Sequence, residues 1–288
     1  MIRRFFWVFF IVFVVNGITL VSCKSNDSEV EIINGVPTSD YRRVVFMFLA
    51  DKTACTATII SHNTILTAAH CLVGLKESND RSIYVQLGPE RFAITEKYMY
   101  SSKYEPNNRS TNMHDVGVVV FDDNTFEGFS PLKIVNYHPQ PADKVILVGF
   151  GCFTKTQLQP DGNRVVVCDA EAGYSKRVGK NHIYDKVQGD RCTPGMIQVN
   201  QQYAHVDSDS SRPTGEDAIM WLLDSGGPLL LEPSNPDIDY YRLIGVASYA
   251  NPLYVNERLS CYSDPSYPDN IAFFKEAVST LGARIDFE

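Results

Sequence analysis

Short apolar runs, each a handful of residues long and set off by Gly, Asn, Asp or Pro, recur along most of this chain. Val44–Leu49, Thr56–Ile60, Ile83–Leu87, Val116–Phe121, Val145–Val148, Val165–Val167, Pro228–Leu231 and Leu243–Ala247 are rich in the β-branched and aromatic residues that suit strands. Many short strands with turns between them indicate an all-β sandwich or barrel. One helix is expected near the end. Pro268-Asp269-Asn270 gives a start, Ile271 to Phe274 with Ala277, Val278 and Leu281 gives an apolar stripe, and Gly282 gives a stop. With 288 residues, 44% hydrophobic and 21% charged, the chain has room for one two-lobed domain or two small ones. A net charge of -8 lacks the basic footprint of nucleic-acid binding, so no nucleic-acid partner is expected.

The beginning of the chain reads differently. Arg3 and Arg4 precede an unbroken apolar run, Phe5 to Val15, which Ile18 to Val21 extends weakly. The run is too short to span a bilayer and a polar segment follows, so residues 1–22 read as an export signal. Leu20-Val21-Ser22-Cys23 resembles the lipobox of bacterial lipoprotein signals, in which the Cys becomes the lipid-modified first residue. The alternative is an ordinary signal cleaved near Ser22 or later. Residues 23–31, polar and acidic, read as a flexible spacer or propeptide. The chain has 7 Cys, an odd number for an exported protein. If Cys23 carries lipid, Cys55, Cys71, Cys152, Cys168, Cys192 and Cys261 form an even set suited to an oxidising compartment. The expected location is therefore a membrane tether as a lipoprotein, or secretion or residence in the periplasm. No CxxC or clustered His/Cys spacing suggests zinc, and no metal or cofactor is expected.

Three segments carry candidate chemistry. Leu66-Thr67-Ala68-Ala69-His70-Cys71 sets a His beside an apolar strand, where a disulfide from Cys55 to Cys71 would fix its backbone. His114-Asp115 stands at the mouth of the run Val116–Val120. An Asp there is most often a turn or cap residue. Leu223-Asp224-Ser225-Gly226-Gly227-Pro228 places a Ser before two glycines, which permit a sharp turn and close approach of backbone to a bound chain. Taken singly, each has a plain structural reading.

Together, and in this order, the three segments resemble the chymotrypsin/trypsin family of serine peptidases. Ile32-Ile33-Asn34-Gly35 looks like the family's mature N-terminus, Gly149-Phe150-Gly151 like its Gly-aromatic-Gly, and Gly245-Val246-Ala247-Ser248-Tyr249 like its substrate-binding strand. The resemblance covers about residues 32 to 288. It implies two six-stranded antiparallel β-barrels with a C-terminal helix, the first about 32–137 and the second about 138–288. It further implies an endopeptidase acting on protein or peptide substrates, expected as a monomer, with Ser225 as nucleophile, His70 as base and Asp115 as its partner. The backbone N–H groups of Leu223 and Ser225 would face the developing oxyanion. Ile32, once freed by cleavage, would pair with Asp224. The resemblance implies Cys55–Cys71; the sequence leaves the pairing of the other four cysteines open, with Cys152–Cys168 and Cys192–Cys261 as the expected arrangement.

The chain departs from that family at four places. Leu223 stands where a Gly is usual, and a side chain there restricts φ/ψ. Trp221 stands where a Cys is frequent. Ile219, with Ser248, Tyr249 and Ala250, would line the primary specificity pocket, and an apolar base disfavours a substrate Lys or Arg. Glu31 precedes Ile32, so activation by a trypsin-like cut is not expected. The competing functional reading is a catalytically silent homologue that binds proteins through the same groove.

Overall fold

A computed structural model of the chain describes residues 32, 35–50, 53–87, 92–137, 139–151, 154–158, 164–168, 175–183, 192–202, 218–220, 223–233, 241–254 and 257–288. The expected signal and spacer with Cys23, and also Cys152 and Trp221, lie outside the described residues.

The first half supplies β1 (Val36–Pro37), β2 (Val44–Leu49), β3 (Ala54–Ile59), β4 (Thr64–Thr67), the short α1 (Ala69–Leu72), β5 (Ile83–Gln86), β6 (Phe92–Thr95), β7 (Lys97–Tyr100) and β8 (Gly117–Val120). Seven of these strands pair antiparallel in the order β6-β5-β2-β3-β4-β8-β7. The two edge strands, β6 and β7, are consecutive in the chain and parted only by Glu96. One bent strand thus occupies both edges, and the sheet closes on itself. Bulky residues such as Met47, Ile59, Ile65, Val85, Val118 and Phe126 fill its core.

The second half supplies β9 (Lys144–Gly149), β10 (Thr154–Leu158), β11 (Arg164–Cys168), β12 (Arg177–His182), β13 (Ile197–Gln202), β14 (Pro228–Leu231), β15 (Arg242–Tyr254), β16 (Glu257–Ser263) and the terminal helix α2 (Pro268–Leu281). The second sheet runs β1-β12-β9-β14-β15-β16-β13, and its named strands pair antiparallel. A bridge between Ile183 and Val199 brings β13 back to the end of β12 and completes a ring of six strands, with β1 added outside it. Both sheets therefore hold seven strands by pairing where six were expected. In the first, one strand is interrupted at Glu96; in the second, the entering chain adds a short edge. The run Val165–Val167 falls in β11, which pairs with β10 in a separate hairpin.

Ile32 and the terminal helix each cross the boundary drawn at residue 137. Ile32, 2% exposed, packs in the second core with Leu147, Ala218 and Tyr262. Helix α2 instead buries Phe273, Phe274 and Ala277 against the first core. Pro268 opens this helix with its φ already helical, and Gly282, at φ 71°, ends it in the left-handed conformation.

Candidate active site

His70 is the second residue of α1, directly after β4. Asp115 caps a 3-10 turn (Arg109–His114) just before β8, and β4 and β8 are neighbours, with Thr67 opposite Gly117. This register alone brings the two residues together. The carboxylate of Asp115, 2% exposed, grips His70 twice. Oδ1 accepts the backbone N–H of His70 at 2.8 Å and Oδ2 meets ring Nδ1 at 2.7 Å. A carboxylate at Nδ1 selects the tautomer in which Nδ1 carries the proton, leaving Nε2 as an acceptor. Burial alone would lower the pKa of His70, but the charge and the hydrogen bond of Asp115 outweigh it and hold the pKa above its ordinary value.

The carboxylate has a third partner. Ser248, 6% exposed, donates its hydroxyl to Oδ2 at 2.6 Å. Ser248 sits at a register shift in β15, between Ala247 and Tyr249. Ser248 lies on the strand expected to bind substrate, and its hydroxyl in addition reaches across to orient Asp115. Tyr104 was not singled out from the sequence. Burial and the nearby charge of Asp115 push its phenol up to about 12, and no motif marks it.

Ser225 belongs to the loop before β14, and that loop lies against the first barrel. The carbonyl of Ser225 accepts the N–H of Thr56 at 2.9 Å. Gly226 has φ 80°, and a Cβ there would fall 2.1 Å from Thr67 Oγ1 and 2.4 Å from the Thr56 carbonyl oxygen, so a side chain is excluded. The Cys55–Cys71 disulfide supplies the link to His70. Sγ of Cys71 lies 3.8 Å from His70 Nε2 and 3.9 Å from the Ser225 carbonyl oxygen. One sulfur thus touches the free nitrogen of the imidazole and the backbone of the serine. Cys55, His70 and Cys71 also form a cluster of ligand-type atoms, but both sulfurs are committed to the disulfide and offer no thiolate to a metal.

Leu223, the expected oxyanion donor, has φ 71°. That is the left-handed conformation, which costs an ordinary side chain about 1–2 kcal/mol. The leucine has not relaxed into a commoner conformation; it holds the geometry of a glycine. Asp224, 2% exposed, accepts the N–H of Gly151 on Oδ1 at 2.8 Å. A Cβ on Gly149 would fall 2.0 Å from the same oxygen. The two glycines flanking Phe150 thus have separate reasons: one vacates space for the carboxylate and the other donates to it.

Ile219, Ser248, Tyr249 and Ala250 are the residues expected around the specificity pocket. Ile219 is 1% exposed; its neighbour Met220 donates its N–H to Ser260 Oγ at 3.0 Å, and Ser260 lies opposite Ala250 across β15 and β16. The Tyr249 hydroxyl accepts the N–H of Thr193, next to the Cys192–Cys261 disulfide. The partner expected for Cys152 falls at Cys168, whose backbone lies opposite Thr154; the side chains lie outside the described residues. A cavity of about 460 Å³ lined by Tyr41, Arg42, Phe129 and Tyr241 shares no residue with this site.

Comparison with known proteins bears on the family and the fold. The family model described as Trypsin matches residues 32–264. No curated protein sequence matches the chain. Among solved structures, the fold is similar to that of neuropsin, a serine protease expressed in the limbic system of mouse brain, with a TM-score of 0.57 at 18% identity, covering 85% of this chain and 98% of that one.

Proposed function

The chain belongs to the trypsin family of serine peptidases, and from that premise we propose that it is an endopeptidase using His70, Asp115 and Ser225. The observation that supports this most directly is the doubly held His70, whose Nε2 lies 3.8 Å from the Cys71 sulfur, itself 3.9 Å from the Ser225 backbone carbonyl; among the described residues no hydrogen bond joins Ser225 Oγ to the ring. A serine hydroxyl is a weak nucleophile without a neighbouring base. His70 Nε2 takes the proton of Ser225 Oγ as the oxygen attacks the scissile carbonyl. The C–N bond of the resulting tetrahedral adduct breaks as the same proton passes to the leaving amine. Water then repeats the sequence on the acyl-enzyme and regenerates Ser225. Asp115 keeps its charge throughout and stabilises the imidazolium. The N–H groups of Leu223 and Ser225 receive the oxyanion.

The buried, uncharged Ile219 supports a preference for uncharged residues over Lys or Arg at the cleaved position. Asp224 is buried, and its charge acts on Tyr262, which packs in the same core as Ile32; this supports a precursor whose cleavage frees Ile32. Export through residues 1–22, with lipid on Cys23 or a cut beyond it, completes the proposal; mass spectrometry of the mature N-terminus reads out acylated Cys23 or free Ile32.

A fluorophosphonate probe tests the chemistry. After removal of residues 1–31 the wild-type chain labels at Ser225, and His70→Ala and Ser225→Ala abolish labelling while the fold is kept. An unlabelled, folded wild-type chain favours the protein-binding homologue instead.

A further inference from the structure

We infer that Thr56 is a positioning residue for the oxyanion-binding turn, its hydroxyl holding the Leu223–Asp224 peptide so that a leucine can occupy a glycine conformation. The inference rests on the peptidase reading and extends it to a residue that no sequence motif marks.

Thr56 lies in β3, is fully buried, and follows directly on the disulfide-bonded Cys55. Its hydroxyl has two partners. The N–H of Phe150 donates to Oγ1 at 3.1 Å, and Oγ1 donates its own proton to the Leu223 carbonyl at 2.9 Å. Because Phe150 occupies the acceptor side, the single hydroxyl proton is directed at Leu223. Among the described residues, Thr56 Oγ1 is the one group that hydrogen-bonds this carbonyl. The other ties in the turn grip its neighbours: Thr56 N–H holds Ser225, Gly151 N–H holds the Asp224 side chain, and Gly227 N–H holds the Asp224 carbonyl.

A leucine at φ 71° relieves its strain by turning about its N–Cα bond, which moves either the preceding peptide or the side of the bond that carries its own carbonyl. Thr56 fixes the carbonyl side. Moving that side would also strand the buried hydroxyl and carbonyl without partners, which adds to the cost. Phe150 is itself held by both halves of the chain, its ring 5.4 Å from that of Phe46 and 5.5 Å from Lys176 Nζ. The anchor for Leu223 is therefore part of the packed boundary between the barrels.

A double-mutant cycle tests the inference, read as the rate of fluorophosphonate labelling at Ser225 and as kcat and KM on a peptide substrate. Thr56→Val and Thr56→Ala, which both lose the hydroxyl, slow labelling and kcat about 10–100-fold with little change in KM, less than the roughly 10²–10³-fold loss of a whole oxyanion donor. Thr56→Ser keeps the hydroxyl and stays close to wild type. In a Leu223→Gly background the left-handed conformation carries no side-chain penalty, and the same Thr56 changes then have little effect. Wild-type rates in both hydroxyl-lacking variants, or an equal loss in the Gly background, overturn the positioning role and leave the peptidase reading standing. A wild-type chain that does not label overturns the peptidase reading and this inference with it.

Discussion

Asp115 holds three donors at once, and the consequences of removing its charge follow from the two opposing effects on His70. Burial pulls the imidazole pKa down while Asp115 pulls it up and prevails. The base must be neutral to act, so kcat/KM falls as pH drops through a value above the ordinary His figure of about 6.5. In Asp115→Asn the raising influence is gone and burial remains. The acid limb of the pH–rate profile should then move to lower pH, and kcat should fall about 10⁴-fold as the wrong tautomer is favoured. A profile whose acid limb does not move would mean that Asp115 is not the group that sets the titration. At this scale the sequence was most informative about residues with chemistry written into their neighbours: His70 before Cys71, and Ser225 before two glycines. It was silent on Thr56, Tyr104 and the orienting role of Ser248. Their contributions come from contacts between residues far apart in the chain, such as Ser248 with Asp115 and Thr56 with Leu223.

β2, β3, β5, β8, β9, β11, β14 and β15 were legible because their apolar runs alternate with turn residues, and α2 because its start, stripe and stop all agree; the other strands, several of them polar such as β12 (Arg177–His182), stand out by no such run. What the runs could not express was how edges meet. The break at Glu96 and the addition of β1 are set by closure of each sheet, a property of pairing across many residues rather than of local pattern. The Cys192–Cys261 link also acts between elements, tying the segment before β13 to β16. It closes a loop with a sequence separation of 69, and its loss in Cys192→Ser/Cys261→Ser should destabilise the fold by about 2–4 kcal/mol. Urea unfolding of the two proteins measures this. Because Thr193 beside the bridge also donates to Tyr249, KM should rise in the same variant. An unchanged unfolding midpoint would show that the bridge does not hold these elements in place.

For the whole molecule, length and composition bounded the answer to one two-lobed unit or two small ones, and the ordered motifs selected the former. The site lies where the lobes meet: His70 and Asp115 come from the first, Ser225, Ser248 and Leu223 from the second. Neither lobe could have been recognised as half of a reaction centre from its own residues, since each half alone has only the plain reading of a turn, a cap or a packed His. With the proposed assignment, any motion that parts the lobes separates base from nucleophile, so activity should be lost before secondary structure during denaturant titration, as followed by peptide hydrolysis and far-UV circular dichroism.

The crossed segments of the chain bear on how such a molecule can be taken apart. Ile32 and β1 lean on the rear half and the trailing helix on the front half, as when two people each hold the other's coat closed. Cut between them, at residue 138, and each fragment carries away the covering its counterpart needs: the front piece is left with a bare greasy flank where Phe273 and Phe274 had lain, and the rear piece loses the plug that Ile32 provides. The two pieces made separately should be insoluble or unfolded, yet recover one structure when refolded as a mixture.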